Sequence, residues 1–134
     1  MSELKSLLNP RSVAVVGASE QSGTGKVILD NLRMSGFGGS IFPVNPKYDL
    51  VSNLRCYPDL SKVPCPVDLA VLAIPAEAVV PVFRNIPAGQ VGSAILLSSG
   101  FRETGLAGEA FEMEVVEIAK NLRIRLCGPN CLGL

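Results

Sequence analysis

The sequence predicts a doubly wound α/β fold, with a mainly parallel five-stranded sheet and helices on both faces. Five short apolar runs supply the strands, at residues 13–16, 41–44, 69–74, 94–97 and 124–126. Runs this apolar are typical of strands buried on both faces. Stretches with helical spacing separate most of these runs, and an alternation of strand and helix predicts a parallel sheet. Such sheets bind ligands beyond the carboxyl ends of their strands, so the segments after the five strands are the candidate site.

Three helices are predicted between the strands, over residues 25–34, 76–86 and 104–122. Pro81 indicates either a kink in the second helix or a position in its first turn. The first helix is expected to face inward with Val27, Ile28 and Leu32. The third helix is expected to face inward with Phe111, Val115, Ile118, Ala119 and Leu122. Residues 48–65 are ambiguous apart from a capped turn predicted at residues 57–60.

Composition restricts the classes of partner. The 134 residues are enough for one domain, residues 1–134, with 48% hydrophobic and 18% charged residues. Twelve basic residues balance twelve acidic ones, so no overall field attracts nucleic acid or an anionic membrane. No apolar run approaches the roughly 20 residues that span a bilayer, and the N-terminus lacks the pattern of a signal peptide. A cytoplasmic protein is therefore expected.

The four cysteines and the lack of histidine argue against metal and nucleophile chemistry. A zinc site would have to gather thiols from three distant segments. We expect no metal and no catalytic residue in this chain, and we expect its thiols to be reduced.

The first candidate segment follows the first strand and is rich in small residues. Small side chains let backbone amides approach a ligand closely, and the N-terminus of the following helix favours a phosphate. The segment matches neither the Walker A loop nor the G-x-G-x-x-G fingerprint. Its candidate ligand residues are Gly17, Ala18, Ser19, Glu20, Gln21, Ser22 and Gly25.

The second candidate segment, Asn45-Pro46-Lys47, follows the second strand. Many NAD-binding domains place an acidic residue here to bind the adenosine ribose. A cation at this point suits a phosphorylated ribose instead, as in NADP or coenzyme A.

The third and fourth segments complete the central crevice. Ile74 ends the third predicted strand and Pro75 follows it, and a planar group can lie against the rigid proline. Ser98, Ser99 and Gly100 follow the fourth strand. With no histidine to activate them, these serines are predicted to bind rather than to attack.

The fifth segment, residues 127–131, reads Cys-Gly-Pro-Asn-Cys. A cysteine nucleophile would need a nearby base or cation. We therefore expect Asn130 to position a ligand and Cys131 to be structural.

These segments together resemble the N-terminal coenzyme A-binding domain of NDP-forming acyl-CoA synthetases, a family that includes the succinyl-CoA ligase alpha subunit. Similar domains occur in bacterial protein lysine acetyltransferases. The resemblance covers nearly the whole chain. It rests on NPRSVAVVGAS at residues 9–19, PVNPKY at 43–48, DLAV at 68–71, IPA at 74–76, SGF at 99–101 and GPNCLG at 128–133.

The resemblance implies a Rossmann-type fold and a role for each segment. Residues 19–25 would hold phosphate groups of coenzyme A, and Lys47 would neutralise a phosphate near the adenosine. Pro75 and residues 98–100 would line the path of the adenine and pantetheine, and Asn130 would lie near the thiol. The family reaction converts acyl-CoA, phosphate and ADP reversibly to acid, coenzyme A and ATP through a phosphohistidine in a later domain. With no histidine, this chain is expected to bind without turnover, as a fragment of a longer protein or beside a beta-type subunit.

Three alternatives stay open at this point. The chain could be an acyl-CoA-sensing domain of a protein acetyltransferase, or a stand-alone coenzyme A-binding protein. It could also be an NADP-binding oxidoreductase domain, although it lacks the glycine fingerprint and an evident catalytic acid or base. The sequence leaves the acyl group, the choice of ADP or GDP and any homo-oligomer unspecified.

Overall fold

The computed structural model describes residues 9–97 and 105–127. Its strands are β1 (Ser12–Val16), β2 (Ser40–Val44), β3 (Leu50–Val51), β4 (Leu54–Arg55), β5 (Val67–Leu72), β6 (Val91–Leu96) and β7 (Arg125–Cys127). Its α-helices are α1 (Thr24–Met34), α2 (Ala76–Arg84) and α3 (Leu106–Asn121), and a 3-10 helix spans Leu60–Lys62. Leu4, Leu7 and Leu8 precede Asn9-Pro10, and their spacing predicts a short helical turn before β1, but they lie outside the described residues.

Five strands form a parallel sheet in the order β2-β1-β5-β6-β7. The chain leaves β1 for β2 on one side and then crosses to β5 on the other. This reversal creates a crevice at the carboxyl ends of β1 and β5. Val16 pairs there with both Val44 and Leu72. The apolar run predicts a strand up to Ile74, but β5 ends at Leu72. Ile74 therefore lies in the loop that follows the strand.

Helices cover both faces of the sheet, as predicted. Val15 of β1 belongs to a buried cluster with Leu29 of α1. The next residue, Val16, points to the opposite face and clusters with Phe83 of α2 and Val115 of α3. Full burial of a side chain such as Leu or Phe contributes about 1.5–3 kcal/mol. The two clusters therefore fix the helices that border the crevice.

The inward face of α1 is confirmed at Ile28 and Leu32, which pack against the buried cluster, but the prediction is wrong for Val27. Val27 is 55% exposed, whereas Leu29 is fully buried. The buried Gly25 places the start of the helix against the sheet, and Leu29 lies one turn further along that face. Val27 is two residues from Gly25 and so faces the other way. The predicted inward face of α3 is confirmed, with Val115 and Ala119 buried.

Residues 48–65 contain a hairpin that the sequence pattern did not reveal. Strands β3 and β4 pair antiparallel around Ser52 and Asn53, both of which have positive φ values. The capped turn predicted after the hairpin is confirmed, because Asp59 Oδ1 accepts a hydrogen bond of 2.9 Å from the Ser61 amide. In α2, Pro81 lies beyond the first turn, inside the helix.

Candidate functional site

The loops after β1, β2 and β5 meet at the crevice. The Gly17 amide donates to the Val44 carbonyl at 2.9 Å, and the Ala73 amide donates to the Val16 carbonyl at 2.8 Å. Gly17 has a φ of +92°, and a Cβ atom at this position would lie 2.4 Å from the Ala73 carbonyl oxygen. The loops are thus in backbone contact. Glycine is needed at position 17 because its φ is positive and because the Ala73 carbonyl leaves no room for a Cβ atom.

The N-terminus of α1 opens beside these loops. A Cβ atom on Gly25 would lie 2.1 Å from the Gly17 carbonyl oxygen, so the helix begins directly against the end of β1. No side chain among residues 9–97 and 105–127 caps this end of α1, and its first turn contains no acidic residue. The first amides of a helix lack partners within the helix and attract anions. The start of α1 is therefore suited to a phosphate.

The loop between β1 and α1 is held at its beginning and open at its tip. Ala18 is fully buried. Ser19 Oγ accepts from the Gln21 amide at 2.9 Å, and Glu20 Oε1 accepts from the Ser52 amide at 3.0 Å. Gln21 and Ser22 are exposed. Of the predicted ligand residues in this loop, Gln21 and Ser22 have the side chains most open to a ligand.

Asn45 uses both ends of its amide within the protein. Its Nδ2 donates to the Ala18 carbonyl at 2.8 Å, and its Oδ1 accepts from the Lys47 amide at 2.9 Å. Asn45 thereby connects the turn that carries Lys47 to the loop after β1. Its side chain supports the site more than it offers free groups to a ligand.

A cavity of about 640 Å³ lies at this edge of the sheet. Its walls are largely apolar and come from the strand ends, the 3-10 helix and α2. They include Val16, Val44, Leu60, Ile74, Ala78 and Val82, and Asn45, Pro46 and Lys47 lie at the same cavity. A flat apolar group such as a nucleobase fits this lining.

A smaller cavity of about 370 Å³ lies beyond Ile74. Its lining includes Thr24 of α1, Pro75 and Leu97. Ile74 lines both cavities. A long ligand could therefore run from the larger cavity, past the start of α1, towards Leu97.

Lys47 is the accessible cation of the larger cavity. Arg84 also lines it but pairs with Glu114 of α3. Among the described residues, Lys47 is exposed and its ammonium group makes no ion pair. The predicted residues Gly17, Asn45, Pro46, Lys47, Ile74 and Pro75 are thus brought together, while Ser98, Ser99, Gly100 and Asn130 lie outside the described residues.

The sequence did not identify several contributors to this site. Leu60, Ala78 and Val82 line the cavity, and Tyr48 donates or accepts a hydrogen bond of 3.2 Å with Ser19. The apolar residues on one side of α2 predict which face of the helix is buried. They do not predict that residues beside this face line a cavity.

Within residues 9–97 and 105–127, no cluster of three or more His, Cys, Asp or Glu could hold a metal ion. The same ranges contain no helix of the length and hydropathy that crossing a membrane requires.

The cysteines differ in state. Cys56 and Cys65 are free thiols, but Cys127 is disulfide-bonded, so the expectation of reduced thiols is wrong for Cys127. Burial raises the pKa of the Cys56 thiol, and the negative charge of Asp49 raises it further. Cys65 is exposed.

We expect Cys56 to react with a thiol reagent more slowly than Cys65 at pH 8. The thiolate is the reactive form, and a raised pKa lowers its fraction at this pH. Raising the pH should speed the modification of Cys56. Peptide mass spectrometry after timed labelling of wild type and the Cys65→Ser variant measures both rates. Equal rates for the two thiols would contradict the burial of Cys56.

Comparisons with known proteins agree with this geometry. The family model described as a CoA binding domain matches residues 11–134. An ADP-forming acetate–CoA ligase from Archaeoglobus fulgidus is 43% identical over 98% of this chain and 20% of its own length. The alpha subunit of an ADP-forming acetate–CoA ligase from Pyrococcus furiosus is 38% identical over 98% of this chain and 29% of its own.

A solved structure of a synthetase shares the fold of this chain. The dinucleotide-forming acetyl-coenzyme A synthetase 1 of Ca. Korarchaeum cryptofilum, in complex with phosphate and ADP, superposes with a TM-score of 0.91 at 41% identity. That match covers 99% of this chain and 28% of the synthetase. The chain thus spans less than a third of the length of each of these three proteins.

Proposed function

Since the chain belongs to the family of CoA binding domains, we propose that its crevice binds coenzyme A or acyl-CoA as the nucleotide-binding module of an NDP-forming acyl-CoA synthetase. One observation carries this proposal. Within the part of the chain that the structure describes, a helix N-terminus without a side-chain cap, a cation without an ion pair and an apolar cavity meet at the switch point of the sheet. These are the features that a phosphorylated adenine nucleotide requires.

The parts of coenzyme A can be assigned to parts of the crevice. The diphosphate would accept hydrogen bonds from the first amides of α1 and from the exposed tip of the loop at Gln21 and Ser22. Adenine would lie against the apolar wall of the larger cavity, with Lys47 near the 3′-phosphate. The pantetheine would run past Ile74 and Pro75 along the smaller cavity. We propose that residues 98–100 continue this path and that Asn130 lies near the thiol.

The chemistry of the whole protein would come from elements other than this chain. The parent reaction would be acyl-CoA with ADP and phosphate going to acid, coenzyme A and ATP. We assign no catalytic residue here, because the chain has no histidine to carry a phosphoryl group. The proposed partners are further synthetase domains or a separate beta-type subunit. The cytoplasmic location expected from the sequence stays a prediction.

We expect Lys47→Ala to weaken coenzyme A binding by about 1–2 kcal/mol, the scale of one charge-assisted hydrogen bond. Dephospho-coenzyme A should lose less, because it lacks the 3′-phosphate that Lys47 would contact. Calorimetric titration of both ligands into wild type and variant measures the difference. An equal loss for the two ligands would contradict the assignment of Lys47.

Lys120→Ala is the matched control for this experiment. Lys120 is an exposed lysine on α3 and does not line either cavity. Its removal changes the net charge by the same amount as Lys47→Ala. It should leave the affinity for both ligands within about 0.5 kcal/mol of wild type.

A further inference from the structure

Three hydrogen bonds connect the loop after β1 to the segment that follows β2. The Ala18 carbonyl accepts from Asn45 Nδ2 at 2.8 Å. The Ser19 and Tyr48 hydroxyls lie 3.2 Å apart, and Glu20 Oε1 accepts from the Ser52 amide at 3.0 Å. Three consecutive loop residues are therefore each bound by one residue of the segment 45–52.

The segment 45–52 is itself anchored to the rest of the fold. The Asn45 amide donates to the Tyr57 carbonyl at 2.9 Å. Arg33 of α1 donates to the Ser52 carbonyl, on the turn of the β3–β4 hairpin. Tyr48 packs against the buried cluster that contains Leu29 and Val51. The segment can thus hold the loop in place because it is fixed at both ends and in the middle.

A loop that binds phosphate through its backbone gains affinity when it is already ordered. Fixing one residue costs about 1–2 kcal/mol of conformational entropy, and order present before binding removes this cost from the binding step. The loop lies between two glycines, Gly17 and Gly23, which are the least restrained of residues. The three external hydrogen bonds, together with the burial of Ala18, therefore hold residues 18–20 in one conformation.

We propose that residues 45–52 are a positioning element that orders the loop for the ligand, with Tyr48 and Asn45 as its positioning residues. This proposal rests on the proposed function, because it concerns the same crevice. The sequence predicts Ser19 and Asn45 as residues that contact coenzyme A. In this proposal they support the loop instead. Tyr48, which the sequence did not identify as a site residue, gains a role.

A double-mutant cycle between Ser19 and Tyr48 tests this proposal. Tyr48→Phe removes the hydroxyl and keeps the ring that packs on the cluster. We expect it to weaken coenzyme A and dephospho-coenzyme A equally, by about 2- to 10-fold, the scale of one neutral hydrogen bond. On the Ser19→Ala background, Tyr48→Phe should have no further effect, because the two hydroxyls act through one contact. Additive losses would show that Tyr48 acts independently of its contact with Ser19 and would overturn the proposal.

Order in the ligand-free protein provides a readout that does not depend on coenzyme A. NMR relaxation should show lower backbone order parameters at residues 18–22 in Tyr48→Phe than in wild type. Tyr57→Phe is the matched control, because it removes a tyrosine hydroxyl but keeps the backbone carbonyl that accepts from Asn45 and the ring that contacts Phe42 and Arg55. It should change neither the order parameters nor the affinity.

The two readouts separate failure of this inference from failure of the proposed function. If wild type binds no coenzyme A, the proposed function fails, and the order parameters still decide whether Tyr48 orders the loop. If wild type binds coenzyme A and Tyr48→Phe changes neither affinity nor order, the positioning role is overturned. A loss of affinity for coenzyme A without loss for dephospho-coenzyme A would also overturn it, because an ordered loop serves both ligands.

Discussion

Gly25→Ala should destabilise the protein by about 1–3 kcal/mol, the usual cost of overpacking. The added Cβ would lie 2.1 Å from the Gly17 carbonyl oxygen and 3.3 Å from the Ala18 Cα. Both atoms belong to the backbone of the loop, so a side chain cannot simply turn aside. Helix propensity favours alanine over glycine by about 1 kcal/mol in a helix interior, but it cannot offset this overlap. Thermal unfolding should show a Tm lower by several degrees.

Gly38→Ala is the control for this variant. A Cβ at Gly38 would meet no atom within 4 Å, and the backbone there has no positive φ in the restricted range. The Tm of Gly38→Ala should therefore equal or slightly exceed that of wild type. In Gly25→Ala, coenzyme A affinity should also fall, because the start of α1 must move away from the loop. A Gly25→Ala protein with wild-type Tm would contradict the close packing of α1 against the end of β1.

Leu29→Ala should have the largest effect among the helix variants, a loss of about 2–5 kcal/mol. Leu29 is fully buried and joins α1 to the cluster that includes Val15 and Val71. Alanine would lose these contacts, and the cavity that it leaves would be filled by no other side chain. Denaturant unfolding of the variant and wild type gives the difference in free energy.

Val27→Ala tests the orientation of the same helix from the other side. Val27 is 55% exposed, and alanine is the better helix former. The free energy of unfolding should therefore change by less than about 0.5 kcal/mol. A large loss at Val27 and a small one at Leu29 would contradict the orientation of α1 in the structure.

The sequence predicted the sheet well because strands buried on both faces leave a strong signal. A continuous apolar run such as residues 13–16 predicts a strand without knowledge of the strand that pairs with it. In a parallel sheet, the segments that follow the strands meet at one edge. The convergence of Gly17, Lys47 and Pro75 follows from this topology. The resemblance to the coenzyme A-binding family came from the same segments.

The features that the sequence did not predict depend on contacts between distant residues. The β3–β4 hairpin has two residues in each strand, which is too short for an alternating pattern to appear. The exposure of Val27 follows from the approach of Gly25 to Gly17, which the apolar pattern of the helix does not reveal. The support of Ser19 by Tyr48 joins residues 29 positions apart.

Calorimetric titration of the chain with coenzyme A, in parallel with NADP, is the direct test of whether the crevice binds coenzyme A. Both ligands carry an adenine, a diphosphate and a ribose phosphate, so they present similar charge to the crevice. We expect saturable binding of coenzyme A and no binding of NADP, because the chain belongs to a family of CoA binding domains and its smaller cavity leads towards Leu97, where a pantetheine arm would lie. Binding of NADP alone, or no binding of either ligand, would contradict it.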